Sequence, residues 1–241
     1  MLTRIEQLDV RVYVVERDFY ARQTLISYLG WDRRTRVVGS ADSPDGLLHD
    51  LKDSLQFPPD VVLFDVACVE NDPAALSGWL LALRSLDNRS QVLCLGEYAD
   101  RDLALAAGKA GAAGFVTREQ VGFSLAGAVV RALDAEFLVT EDVTACLSEV
   151  FDGTFYRAEV LPQRREYPAL TERVEQALHL CVLEGLPASL AADEMGLSTS
   201  TVRSYIKEGY RILESYDENT YPNDLSPQER AFMRYTALEA A

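Results

Sequence analysis

Long apolar runs are missing from this chain. No stretch approaches the ~20 consecutive apolar residues that a bilayer-spanning helix requires, so no transmembrane helix is expected. Cysteine is scarce and scattered, at Cys68, Cys94, Cys146 and Cys181, with no paired spacing. Histidine is scarcer, with only His49 and His179. A disulfide framework and a Cys/His metal centre are therefore not expected, and buried free thiols in a reducing compartment are. Positive charge is in deficit: 23 Lys and Arg stand against 38 Asp and Glu, for a net charge of −15. Such a balance argues against a nonspecific coat on nucleic acid or membrane, and any binding of DNA has to rest on placement. A glycine-rich phosphate loop and a nucleophile–base pair are also lacking, so the reading is not that of an enzyme, and no cofactor or metal is expected. The opening "MLTRIEQLDVRV" has neither a long apolar core nor a small-residue cleavage site, so a secretory signal is not expected and a cytoplasmic protein is.

What is present is alternation. Apolar, β-rich runs occur at 11–15 (RVYVV), 35–41 (TRVVGSA), 60–65 (DVVLFD), 91–95 (QVLCL) and 113–117 (AGFVT). Helical patterns fill the gaps, at about 19–30, 43–54, 73–86, 99–111 and 119–136. The apolar runs are continuous, as in strands covered on both faces. Five strand–helix alternations imply an α/β, doubly wound parallel sheet of five strands in the order 2-1-3-4-5. The spacing therefore predicts a domain over 1–140. A linker follows over 141–169, opened by a short helix from about 141 to 151. A helical domain covers 170–241.

In such sheets functional groups gather at the C-terminal strand ends. Here those ends present Glu16 and Arg17, then Asp65, Gly96 and Arg118. Strands one and three are neighbours in the expected order, so Glu16 and Asp65 meet at the switch point. Asp18 directly precedes the pattern "FYARQTLISYL" and reads as a helix N-cap. The stretch "GAAGFVTR" at 111–118 echoes a "GADGYLLK" pattern, and with the overall layout it makes residues 11–137 resemble the receiver domain of bacterial two-component response regulators. The C-terminal region resembles the NarL/LuxR branch of the same regulators. In that family two acids after the first strand hold Mg²⁺, an aspartate after the third accepts a phosphoryl group, and a hydroxyl residue and a lysine complete the pocket. By that resemblance Glu16 matches the first acid and Asp65 the phosphoacceptor. Arg17 stands in place of the second acid, Gly96 in place of the hydroxyl residue and Arg118 in place of the lysine. Ala67 and Cys68 stand where a methionine and a proline are common. Magnesium demands near-octahedral oxygen ligands, and Arg17 removes a carboxylate while adding a permanent cation. The expectation is that the Arg17 guanidinium pairs with Glu16 or Asp65 in the metal's place, with Arg118 as a second cation, closing the pocket to ordinary phosphorylation.

From Leu170 the chain reads as three helices with glycine stops at Gly185 and Gly196, a helix-turn-helix signal. At about 100° per residue, Val202, Ile206, Gly209 and Leu213 share one face, and Arg203, Lys207 and Arg211 form a separate stripe with Ser200 and Ser204 beside it. "LT-x-R", "LEGL" and "S-x-x-TV-R" at 198–203 resemble the LuxR-type DNA-binding domain. That resemblance implies groove contacts from Arg203, Ser204 and Lys207. Ser198, Thr199 and Thr201 at the helix start suit phosphate contact. The tail "SPQERAFMRYTALEAA" carries a capping box with proline; its apolar face is expected either to form a dimer contact or to pack back on its own domain.

The sequence therefore reads as a DNA-binding transcriptional regulator, an atypical response regulator controlled by dimerisation, a partner or a ligand rather than by a phosphoryl group. Double-stranded DNA and a second copy are the expected partners. Two other readings stand beside it: a conventional phosphorylation-dependent regulator, and an interaction module that binds RNA polymerase or another regulator instead of DNA.

Overall fold

The computed structural model describes residues 9–53, 58–147, 158–217, 219, 221–222 and 224–239. The chain divides into two compact units between Pro162 and Gln163.

The first unit is built on a parallel sheet. Strands β1 (Val10–Val15), β2 (Thr35–Ala41), β3 (Val61–Asp65), β4 (Gln91–Gly96) and β5 (Gly114–Thr117) appear at the predicted places. Helices α1 (Phe19–Trp31), α2 (Pro44–Asp53), α3 (Pro73–Leu86) and α4 (Arg101–Lys109) connect them. All five residues of β3 are buried, as its unbroken apolar run requires. The helices start where side chains cap them: Asp18 accepts from the Ala21 N–H, Asp72 from that of Ala74, and Asp100 from those of Asp102 and Leu103. One core layer holds Tyr13, Phe64 and Trp79, the last two stacked with ring centroids 3.8 Å apart.

Beyond β5 the structure departs from the expected plan. Among the described residues the sheet has seven strands in the order β2-β1-β3-β4-β5-β6-β7, with β6 (Phe137–Val139) and β7 (Ala158–Val160) added outside β5. Helix α7 (Glu141–Leu147) lies between them in sequence. The expected linker over 141–169 is therefore partly sheet, and the expected helix over 119–136 is three pieces: α5 (Arg118–Val121), a 3₁₀ turn over Gly122–Ser124, and α6 (Leu125–Ala132). Three-residue strands carry no readable periodicity, and a positive φ of 46° at Gly122 breaks the helix. The expected extension of α7 to 151 lies outside the described residues.

The second unit is helical. Helix α8 (Glu172–Leu178) runs on into a π-helical turn, His179–Leu183, and stops at Gly185. Helix α9 (Ala188–Met195) ends at Gly196, at φ 65°, a left-handed cap. Helix α10 (Thr199–Ser215) and helix α11 (Pro227–Tyr235) complete it. The Ser226–Glu229 capping box is formed. Of the two fates expected for the tail, packing back is the one observed. Ala231, Phe232, Met233 and Tyr235 are buried, and Arg234 is held by Glu214 at 3.2 Å and Asp217 at 3.0 Å with its guanidinium over the Tyr221 ring.

Candidate functional site

Strand register assembles the first candidate site. Val15 pairs with Phe64, which sets Glu16 beside Asp65, and Gly96 pairs with Thr117, which sets Glu97 beside Arg118. The Arg118 guanidinium spans the gap: its Nη2 donates to Glu16 Oε2 and to Asp65 Oδ2. The other carboxylate oxygens also have donors. Glu16 Oε1 accepts from the Asp18 N–H at 2.8 Å, and Asp65 Oδ1 from the Ala67 N–H at 2.6 Å. The acids are nearly sealed, their side chains 3% and 5% exposed, against 26% for Arg118.

Burial pushes the Glu16 carboxyl above its usual range; the Asp18 N–H opposes the rise, neighbouring Asp65 adds to it, and Arg118 pulls it back. Burial works to lower the Arg118 pKa, but Asp65 and Glu16 outweigh it and hold the guanidinium firmly protonated. Two carboxylates and one permanent cation leave the cluster with one excess negative charge, and Glu97 lies 3.6 Å from the Arg118 Nε.

This donor set does not fit the magnesium ion that the family resemblance implies. The second acid is absent, and all four remaining carboxylate oxygens are already hydrogen-bonded, two of them to a guanidinium between the acids. The cation in the metal's place is Arg118, which corrects the expectation for Arg17. Successive side chains in extended backbone point to opposite sides, so with Glu16 turned inward Arg17 is turned out; it is exposed and makes no ion pair among the described residues. Its backbone N–H instead faces Cys68, whose thiol is pushed up to about 12, chiefly by burial and then by Asp65.

Gly96 is more than the loss of a hydroxyl. A Cβ there would lie 2.9 Å from the tip of the Phe115 ring and 3.0 Å from the Tyr98 carbonyl oxygen, and Phe115 is fully buried. The space for a serine or threonine is filled by the core. A further element, not found from sequence, buttresses the site. Thr140, which follows β6, accepts from the Thr117 N–H at 3.2 Å, and Asp142 on α7 accepts from the Thr117 hydroxyl at 2.7 Å. The added strand and helix thus grip the residue directly before Arg118. Only the acidic "TED" after an apolar triplet hints at this in the sequence.

The second candidate is α10. Its buried side is Val202, Gly209, Ile212 and Leu213, with Ile206 half-buried. Arg203, Ser204, Lys207 and Arg211 are all exposed, and the three cations make no ion pair among the described residues. Ser198 caps the helix by accepting from the Thr201 N–H at 3.1 Å, and its hydroxyl also meets those of Ser200 and Thr201. Thr199 and Thr201 are half-buried at the helix start. The predicted residues are therefore brought together along one helix, at an exposed N-terminus that leads into a cationic stripe. Gly209 permits the close approach of α8, since a Cβ there would lie 2.8 Å from the Leu178 side chain.

No protein-family profile matches the chain. It is 29% identical over 197 residues to the DNA-binding transcriptional activator DevR/DosR of Mycobacterium tuberculosis, covering 82% of this chain and 85% of that one. In fold it is similar to the Salmonella typhimurium response regulator RcsB, with a TM-score of 0.51 and 14% identity over 92% of this chain and 97% of that one. It is similar to the same extent, TM-score 0.51 at 14% identity, to RcsB in complex with DNA, over 94% and 97% of the two chains. With the strand-end acids and the helix-turn-helix in the expected places, the chain is thus similar in sequence to DevR/DosR and in fold to the response regulator RcsB.

Proposed function

We propose that the chain is a DNA-binding transcriptional regulator that works as a dimer and whose receiver-like unit is controlled without phosphorylation of Asp65. The observation that carries the DNA reading is the exposed stripe of Arg203, Lys207 and Arg211, without an ion pair among the described residues, on the last helix of a helix-turn-helix. Arg203 and Lys207 lie one turn apart near the N-terminal end of α10, where a recognition helix meets base edges, and arginine reads guanine by a two-pronged bond. Ser198, Thr199 and Thr201 stand at the helix N-terminus, where hydroxyls and amides suit phosphates. The relative DevR/DosR bears the name of a DNA-binding activator, which supports the same reading. Control without a phosphoryl group is supported by the Arg118 bridge, because a phosphoryl group on Asp65 would displace the guanidinium and leave Glu16 buried without its cation.

Selection from a randomised duplex pool supplies the DNA, and binding is then measured from 50 to 300 mM salt. Affinity is expected to fall steeply with salt, and Lys207→Ala is expected to reduce the slope of log K against log salt by about 1. Wild-type and Lys207→Ala proteins with equal slopes would count against the stripe as the contact surface. For the receiver-like unit, incubation with acetyl phosphate and magnesium is expected to leave Asp65 unlabelled by mass spectrometry; stoichiometric labelling refutes control without phosphorylation.

A further inference from the structure

The break at Gly122 leaves a cavity of about 320 Å³ between α1 and the turn that follows β5. Helix α1 contributes Ala21, Leu25 and Tyr28, and the turn contributes Val121 and Phe123. Arg118 is the one charged residue in its wall among the described residues. The volume is roughly twice that of the ~150 Å³ cavity known to take up benzene, and lies at the low end of small-molecule sites.

Arg118 has donors to spare here. A guanidinium carries five N–H groups. Both hydrogens of Nη2 go to Glu16 and Asp65, and Nε faces Glu97 at 3.6 Å. The two hydrogens of Nη1 have no partner among the described residues. The charge balance selects what can accept them. One guanidinium already serves two buried carboxylates beside a third, so an arriving carboxylate would meet net negative charge. If it won the guanidinium, two buried acids would be left unpaired. A neutral acceptor incurs neither cost.

We infer that the cavity between α1 and the Gly122 turn is a binding site for a neutral, one- or two-ring molecule whose carbonyl or hydroxyl oxygen accepts from Nη1 of Arg118. The apolar walls enclose the ring, and the acceptor completes the guanidinium's hydrogen bonding without disturbing the bridge to Glu16 and Asp65. This inference rests on the Arg118 bridge of the proposed function and is independent of DNA binding.

The test is saturation-transfer NMR and calorimetry on the full chain, without DNA or magnesium, with acetophenone as the neutral probe and benzoate as its anionic counterpart of nearly the same shape. Acetophenone is expected to bind with a Kd of about 1 mM or below, and benzoate at least about ten-fold more weakly, a difference of about 1.4 kcal/mol. Thr24→Phe, at an exposed position in the wall, fills the mouth and is expected to weaken acetophenone about ten-fold with the thermal midpoint unchanged. Absence of acetophenone binding at several millimolar overturns the site. Benzoate binding as tightly as acetophenone overturns the neutral-acceptor assignment, and undiminished binding to a folded Thr24→Phe protein overturns its location. A chain that fails to bind DNA yet binds acetophenone retains this inference and loses only the DNA reading; Asp65 labelling by acetyl phosphate removes the bridge on which it rests.

Discussion

At the scale of single residues, the decisive feature is which arginine bridges the acids. Arg17 and Arg118 are alike in charge and reach, and the sequence placed both near Glu16 and Asp65. The choice is made by strand register and side-chain alternation, which turn Glu16 inward and Arg17 outward, and neither can be read from residue type. The bridge makes a sharp prediction for Arg118→Met, which keeps most of the volume and removes the charge. At pH 8 the variant is expected to lose about 2–4 kcal/mol, below the full cost of breaking a sealed ion pair because Arg118 is partly exposed. The Glu16 carboxyl is already raised by burial, and removing the guanidinium takes away an opposing influence, so it rises further. Between the unfolded value of about 4.3 and that raised value the native variant holds more protons than the unfolded chain, so its stability falls as pH climbs through the interval. Its deficit against wild type is thus expected to be smaller at pH 5 than at pH 8. Urea unfolding at both pH values reads it, and a deficit independent of pH would assign Arg118 a packing role only.

At the scale of elements, the five expected strands and the first four helices were legible because long apolar runs and capped, periodic segments repeat the same message at several levels. The capping box of α11 was legible for the same reason. Strands β6 and β7 were not, since three residues cannot show a period and their pairing is decided by the open edge of β5. The break between α5 and α6 was hidden by a helical pattern that Gly122 alone interrupts. Helical glycines show how much packing adds to propensity. Gly78 lies inside α3, where a Cβ would meet nothing within 4 Å, whereas a Cβ on Gly209 would meet the fully buried Leu178 at 2.8 Å. Gly78→Ala is therefore expected to stabilise the protein by about 0.5–1 kcal/mol through helix propensity. Gly209→Ala gains the same propensity but overpacks the α8–α10 contact by about 1–3 kcal/mol, for an expected net loss of about 1 kcal/mol. Chemical denaturation of the two variants should shift in opposite directions; a stabilised Gly209→Ala protein would mean that α8 yields to α10 at no cost.

At the scale of the whole molecule, charge sets the terms on which α10 can meet DNA. The net charge of −15 was plain in the sequence, as was a helix-turn-helix with no basic surplus around it, since residues 170–216 hold 4 basic and 7 acidic side chains. What the sequence left open was whether the three cations of α10 are tied up by those acids, and the structure leaves all three exposed and without an ion pair among the described residues. Attraction is thus local while repulsion is global, so acids on α10 itself should restrain binding out of proportion to their number. Glu208 is exposed, directly after Lys207. Neutralising it in Glu208→Gln is expected to tighten binding to selected and random duplexes alike, because a charge facing phosphates carries no base information. One surface charge is worth about 0.2–1 kcal/mol, a gain of roughly 1.4- to 5-fold at 50 mM salt. The gain should shrink toward nothing at 300 mM, where screening falls below the separation of exposed charges. Fluorescence anisotropy with both duplexes at both salt concentrations measures it. A gain confined to the selected sequence would instead place Glu208 against a base edge, and α10 would then sit deeper in the groove than its cationic stripe alone requires.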